Sequence, residues 1–173
     1  MPAPTGFRLF KSAVFALLAA SLAVYALAGR PSEILDTMAW LVLLVLFEIE
    51  TAHGARLSAR QRRLIHLLRP VAAAAVPVAA VDYLLEAEWL DAANAWLWIA
   101  VVILLEIEVR APQAVERRRE SFLIAAVVLY AALFFLVPAW LLQGEWLDAW
   151  DATLWLAAFF AIELNVLQRT NKT

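Results

Sequence analysis

Residues 38–51 read MAWLVLLVLFEIET. Ten residues, Met38 to Phe47, run without a charge, and then two glutamates, Glu48 and Glu50, close the stretch. Residues 104–109, LLEIEV, and 161–166, AIELNV, end two other apolar runs in the same way. None of these runs alternates apolar with polar residues, as strands of a membrane barrel do. In hydrocarbon every backbone N–H and C=O must be satisfied within the chain, so a continuous apolar run of this length is read as a helix.

Working outward, six apolar segments are long enough to span a bilayer, which takes about 20 residues. They lie near 9–28, 34–51, 64–85, 92–109, 122–142 and 149–167. The composition agrees: the chain of 173 residues is 65% hydrophobic, with a mean hydropathy of +0.76. A soluble domain is roughly 45–50% apolar, and the excess here has to face lipid or partner subunits. The expected fold class is all-α, a polytopic membrane protein forming a single membrane domain over residues 1–173.

Basic residues set the expected orientation. Of 14 Lys and Arg, 12 fall in four groups: Arg8 and Lys11; Arg56, Arg60, Arg62 and Arg63; Arg110, Arg117, Arg118 and Arg119; Arg169 and Lys172. A six-span topology puts all four groups on one side. The opposite side holds Arg30 among many acids. The positive-inside rule then places both termini in the cytoplasm of a plasma or inner membrane. The first segment also fits signal-peptide grammar, with Arg8 and Lys11, an apolar middle and Ala-Leu-Ala before Gly29. Its length and its place in the repeat described next favour a retained helix.

Glu48, Glu106 and Glu163 are spaced by 58 and 57 residues. In that register Trp40, Trp98 and Trp155 coincide, as do Asp36, Asn94 and Asp151, and Glu33, Asp91 and Asp148. Glu50, Glu108 and Asn165 form the last column. Tyr25 and Tyr83 also align, and Trp140 takes the third place. Five polar or aromatic columns recurring in three copies mark an internal repeat, with units at about 7–54, 64–112 and 121–169. Each unit reads as a two-helix hairpin, and three such hairpins suggest a pseudo-threefold bundle. Pro77 and Pro138 are expected to kink the third and fifth segments.

Each column has a bland and a functional reading. Glu33, Asp91 and Asp148, with Asp36, Asn94 and Asp151 one turn on, suit helix N-termini, where acids cap free N–H groups and meet the positive end of the dipole. The alternative is a cation-attracting vestibule. Trp40, Trp98 and Trp155 are packing wedges or the walls of a constriction. Glu48, Glu106 and Glu163 lie at the wrong end of the dipole for an acid, so they need partners. Either they pair with nearby arginines and lock hairpins together, or they converge as an ion site. Residues two apart point about 160° from each other on a helix. One glutamate of each pair is therefore expected at the bundle centre, and the invariant column of 48, 106 and 163 is the choice.

Other chemistry finds little support. Cysteine is absent, His53 and His66 lack any partnering motif for haem or metal, and no nucleotide or hydrolase motif occurs. No enzyme activity and no cofactor are expected, and a net charge of −2 gives no pull toward nucleic acid. Two functions stay open. One is a small channel or transporter for protons or metal ions, with Glu48, Glu106 and Glu163 as the ion site, Glu50, Glu108 and Asn165 as a hydrogen-bonding seam, and Asp36, Asn94, Asp151 and the three Trp residues as the outer end and constriction. The other is a non-transporting scaffold or accessory subunit in which the glutamates form structural ion pairs. The expected partners are the bilayer and a cation; a homo-oligomer or a membrane partner subunit stays open, because six short spans are few to enclose a pore.

Overall fold

The computed structural model describes residues 5–53 and 56–170, with side chains described throughout that range except at 5, 7, 8, 51, 52, 109 and 161–170. Its elements are α1 (Thr5–Ala28), α2 (Pro31–His53), α3 (Ala59–Leu85), α4 (Trp89–Arg110), α5 (Pro112–Arg117), α6 (Arg119–Gln143) and α7 (Trp146–Thr170). The fold is all-helical, with no strand among the described residues.

Four helices contain a stretch long and apolar enough to cross a membrane: Leu9–Ala28, Ala59–Leu85, Trp89–Glu108 and Arg119–Gln143. The sequence reading expects six. α2 has the length, but Glu33, Asp36, Glu48 and Glu50 place more than two charges in every window of 18 residues. Side chains of α7 are described only as far as Phe160. The outward faces of α3 and α6 are apolar. Leu64, Leu67, Val71 and Val78 on α3 are exposed, as are Leu123, Val127 and Phe134 on α6. A soluble chain rarely leaves such continuous apolar surface uncovered.

The six long helices close into a ring. α1 packs on α2 and α7, α3 on α2 and α4, and α6 on α4 and α7. α3 and α4 approach closely because the seam between them is made of Ala79, Ala80, Ala92 and Ala95, all nearly inaccessible. Small residues are what let membrane helices come this close. A second cluster runs through the middle of the ring and contains Leu18, Leu44, Trp98, Val101, Leu133, Trp155 and Ala158.

Local chemistry sets the helix ends. α3 starts earlier than its apolar stretch because Ser58 and Gln61 form a capping box: the Ser58 hydroxyl accepts from the Gln61 N–H, and the Gln61 side chain accepts from the Ser58 N–H. α5 is a single short helix, begun by Pro112, between the apolar segments near 92–109 and 122–142. Pro77 lies inside α3 and Pro138 inside α6, and both helices continue past them.

One end of the ring carries three short turns, α1–α2, α3–α4 and α6–α7. Each is tied back to an aromatic residue of the preceding helix: the Gly29 N–H donates to the Tyr25 carbonyl (2.7 Å), Glu88 to Tyr83 (2.9 Å) and Glu145 to Trp140 (3.0 Å). Gly144 takes a left-handed conformation, φ 86°, which closes α6. Ala87 adopts φ 62° in the α3–α4 turn. Gly29 is needed for a different reason. A Cβ there would lie 2.7 Å from the Tyr25 carbonyl oxygen and 2.8 Å from Glu33 Oε2. These turns deliver Glu33, Asp91 and Asp148 to a common end of the bundle.

Candidate functional site: an acidic cavity on the ring axis

The residues at this end make a layered site. At the mouth, Arg30 gathers acids from two hairpins. Its Nε and Nη2 donate to Glu33 Oε1 at 2.8 and 2.6 Å, and Nη2 also donates to Asp91 Oδ2 at 2.8 Å. Nη1 pairs with Glu88, and Glu86 lies 3.8 Å away. Glu86 in turn accepts from the buried Ser32 hydroxyl at 2.8 Å. Burial works against the Arg30 charge most strongly, yet the carboxylates of Glu33, Asp91 and Glu88 push its pKa up. In the neighbouring turn, partial burial raises the pKa of Glu145, and the negative charge of Asp148 adds to the rise.

Beneath the mouth, the three aromatic residues that anchor the turns face the acids of a neighbouring hairpin. The Tyr25 hydroxyl donates to Asp148 at 2.7 Å, and Trp140 Nε1 donates to Asp91 at 3.2 Å. Tyr83 lines the same space, near Asp36, Asp91 and Glu33. Burial raises the pKa of Asp148, while the Tyr25 hydroxyl pulls it back down. The expected helix capping is only part of what these acids do. Glu33 accepts from the Arg30 N–H at 2.7 Å, half of a capping box. Asp91 spends its oxygens on Arg30 and Trp140, and Glu88 makes no side-chain cap on α4.

Below this chamber, of about 30 Å³, lies a second of about 20 Å³. Asp36, Thr37, Asn94 and Asp151 line both and form the step between them. Each cavity has room for about one or two water-sized particles. The lower chamber is walled by Trp40, Trp98 and Trp155, with Phe159 against Trp98 at 4.5 Å between ring centroids. Trp40 meets Trp155 edge-on across the ring at 6.3 Å. One turn further along, Leu44, Val101 and Ala158 are buried in the central apolar cluster.

Asp36 and Asp151 are each only 9% exposed. One carboxylate oxygen of each, Oδ1, makes no hydrogen bond to protein, and neither does Asn94 Oδ1. Trp40 Nε1 and the Ser21 hydroxyl neighbour Asp36 and Asp151 without closing a well-formed bond. Three helices therefore bring open acceptor oxygens to one place. A buried acceptor left without a donor costs about 1–3 kcal/mol, and more when charged. Among the described residues Arg30 is the one basic side chain at this end of the bundle, and its contacts are with the acids at the mouth. No set of three His, Asp or Glu side chains among the described residues is arranged to hold a single metal ion.

The sequence reading puts Glu48, Glu106 and Glu163 at the bundle centre. The structure describes two of these side chains and pairs each with a basic residue. Glu48 pairs with Lys11 of α1. Glu106 is 53% exposed and pairs with Arg110 one turn along its own helix. Of the second column, Glu50 pairs with Arg69 of α3, and Glu108 is exposed. The side chains of Glu163 and Asn165 lie outside the described residues. Helix geometry explains the outcome. Position 48 is twelve residues beyond 36, so at 3.6 residues per turn it sits about 120° round the helix from it. A helix that turns residue 36 to the axis turns residue 48 away from it. The members that meet are Asp36, Asn94 and Asp151, and Trp40, Trp98 and Trp155.

Sequence reasoning missed Arg30 as a hub, gave Tyr25 and Tyr83 no role, and read Trp140 only as part of an aromatic belt at the membrane surface. Both had a signal. Arg30 is the lone cation in an acidic group, and the three aromatics fall in one register when the glutamate-ended runs are aligned. No family model, no curated protein and no solved structure matches this chain.

Proposed function

We propose that this is an integral membrane protein that handles protons or other small monovalent cations through the acidic cavity on the ring axis. Asp36 and Asp151 hold the cation with Asn94, and the surrounding acids draw it in. The observation that carries the reading is the pair of nearly inaccessible carboxylates whose open oxygens line a cavity that, among the described residues, no basic side chain lines. A buried charge needs a compensating partner, and a cation or a proton is the partner that fits. The apolar layer of Leu44, Val101 and Ala158 beneath the Trp residues fits a conformation open toward the acidic end and shut toward the basic one.

In this reading all six long helices span the bilayer as three copies of one hairpin around a pseudo-threefold axis. The ring order and the meeting of the repeat columns support it. So does the aromatic pattern, in which Tyr25 of the first hairpin reaches the third and Trp140 of the third reaches the second. Acids on α2 are compatible with a span because they face the axis or pair with Lys11 and Arg69. The basic end lies in the cytoplasm, with both termini.

The scaffold reading keeps one specific support. Glu48 with Lys11, Glu50 with Arg69 and Glu106 with Arg110 are structural ion pairs. We assign these glutamates to holding helices together and the outer acids to the ion. Proteoliposome flux of protons and monovalent cations tests the division. Flux in the parent that falls at least tenfold in Asp36→Asn and Asp151→Asn, but not in Glu106→Gln, is expected. A parent without flux, or a loss confined to Glu106→Gln, would overturn it.

A further inference from the structure

The lower chamber is specific about what it can take, and on the cation reading above we infer that its ligand is ammonium, a compact cation that donates hydrogen bonds in several directions. Size is the first constraint. At about 20 Å³ the chamber admits one particle the size of a water molecule. An ammonium ion has that size, and a quaternary amine is too large.

Acceptor geometry is the second constraint. Asp36 Oδ1, Asn94 Oδ1 and Asp151 Oδ1 come from α2, α4 and α7, and none closes a well-formed hydrogen bond to protein, although Trp40 lies beside Asp36 and Ser21 and Trp155 beside Asp151. All three residues line the chamber. Three acceptors arriving from three helices suit the tetrahedral N–H bonds of ammonium. Thr37 lies on the same wall. A divalent cation takes six or more oxygens, often with several waters, which this space does not hold.

The walls supply the third constraint. Trp40, Trp98 and Trp155 line the same chamber. Indole faces attract cations, more strongly when water is excluded. Trp40 and Trp155 turn their N–H edges toward Asp36 and Asp151, so any face they present serves a poorly hydrated cation better than a strongly hydrated one such as sodium, which would have to lose its water. Aromatic walls, two carboxylates and an amide thus select a cation that sheds water easily and spends its protons on fixed oxygens.

Three of the eight tryptophans line the chamber, so their emission reports occupancy. The full chain in detergent is titrated with ammonium chloride, sodium chloride and tetramethylammonium chloride at constant ionic strength. The expected result is a saturable change with ammonium, at least tenfold tighter than with either other cation and weakened at least tenfold in Asp36→Asn. Asn94→Leu, which removes an acceptor without touching a charge, is expected to weaken ammonium in the same direction. Sodium binding as tightly as ammonium, or tetramethylammonium doing so, would overturn the inference and leave the cation reading standing. No response to any cation also overturns it. If proteoliposomes then carry no flux either, the cation reading falls with it.

Discussion

Replacing Arg30 by Gln removes the hub of the acidic mouth, and its effect can be estimated from exposure. The Glu33 and Asp91 side chains are 13% and 10% exposed, whereas Arg30 is 33% exposed. Deleting one partner of a buried ion pair costs about 3–5 kcal/mol, because a charge is left without compensation. Arg30 retains access to water, so the lower end, about 3 kcal/mol, applies here. That corresponds to roughly a hundredfold in the folding equilibrium. The comparison is Arg69→Gln. Its pair with Glu50 is 42% and 32% exposed, and partly exposed pairs are worth about 0–1 kcal/mol. Equilibrium unfolding of both variants in mixed detergent, followed by far-UV circular dichroism, reads the difference. Equal losses in the two variants, or a loss below about 1 kcal/mol for Arg30→Gln, would refute the view that Arg30 holds the mouth together.

Three further outcomes are expected. Gly29→Ala should cost about 1–3 kcal/mol, because the added methyl meets a backbone oxygen at 2.7 Å that has no room to give; a thermal midpoint matching the parent would contradict it. Glu106→Gln should change stability by about 0.5 kcal/mol or less, as befits an exposed pair one helical turn apart, and chemical denaturation checks this. Asp148 and Glu145 have pKa values raised by burial, so the folded protein holds their protons at a higher pH than the unfolded chain. Their contribution therefore grows as pH falls toward the ordinary 3.8 and 4.5 and is lost as pH rises through the folded values. Unfolding midpoints should climb on acidification from neutral pH, and Asp148→Asn should flatten the climb.

How far the sequence was legible depends on which physical signal each feature leaves. Long apolar runs ended by charge revealed the helices, because hydrocarbon permits few alternatives for them. Aligning the glutamates put Asp36, Asn94 and Asp151 in one register and Trp40, Trp98 and Trp155 in another, and all six line one cavity. The alignment did not reveal which column faces the axis. A column fixes height along a helix, whereas facing depends on rotation, and rotation over twelve residues carries Glu48 away from the side of Asp36. Choosing the invariant glutamates for the centre gave conservation among the three copies more weight than that rotation. The capping box at Ser58 and Gln61 was legible as Ser-x-x-Gln but is hidden by the arginines around it. Contacts such as Arg30 with Asp91 or Tyr25 with Asp148 join residues 61 and 123 apart in sequence, and only the closing of the ring brings them together.

Infrared difference spectroscopy tests most directly which carboxylates are the site. The purified protein is exchanged between ammonium-free and ammonium-containing buffer, and carboxyl bands are recorded for the parent, Asp36→Asn, Asp151→Asn, Glu48→Gln and Glu106→Gln. A band that shifts in the parent and both glutamate variants, and is lost in the two aspartate variants, is the predicted result. A band that survives in Asp36→Asn and Asp151→Asn but vanishes with Glu48 or Glu106 would return the site to the basic end of the bundle and contradict the account.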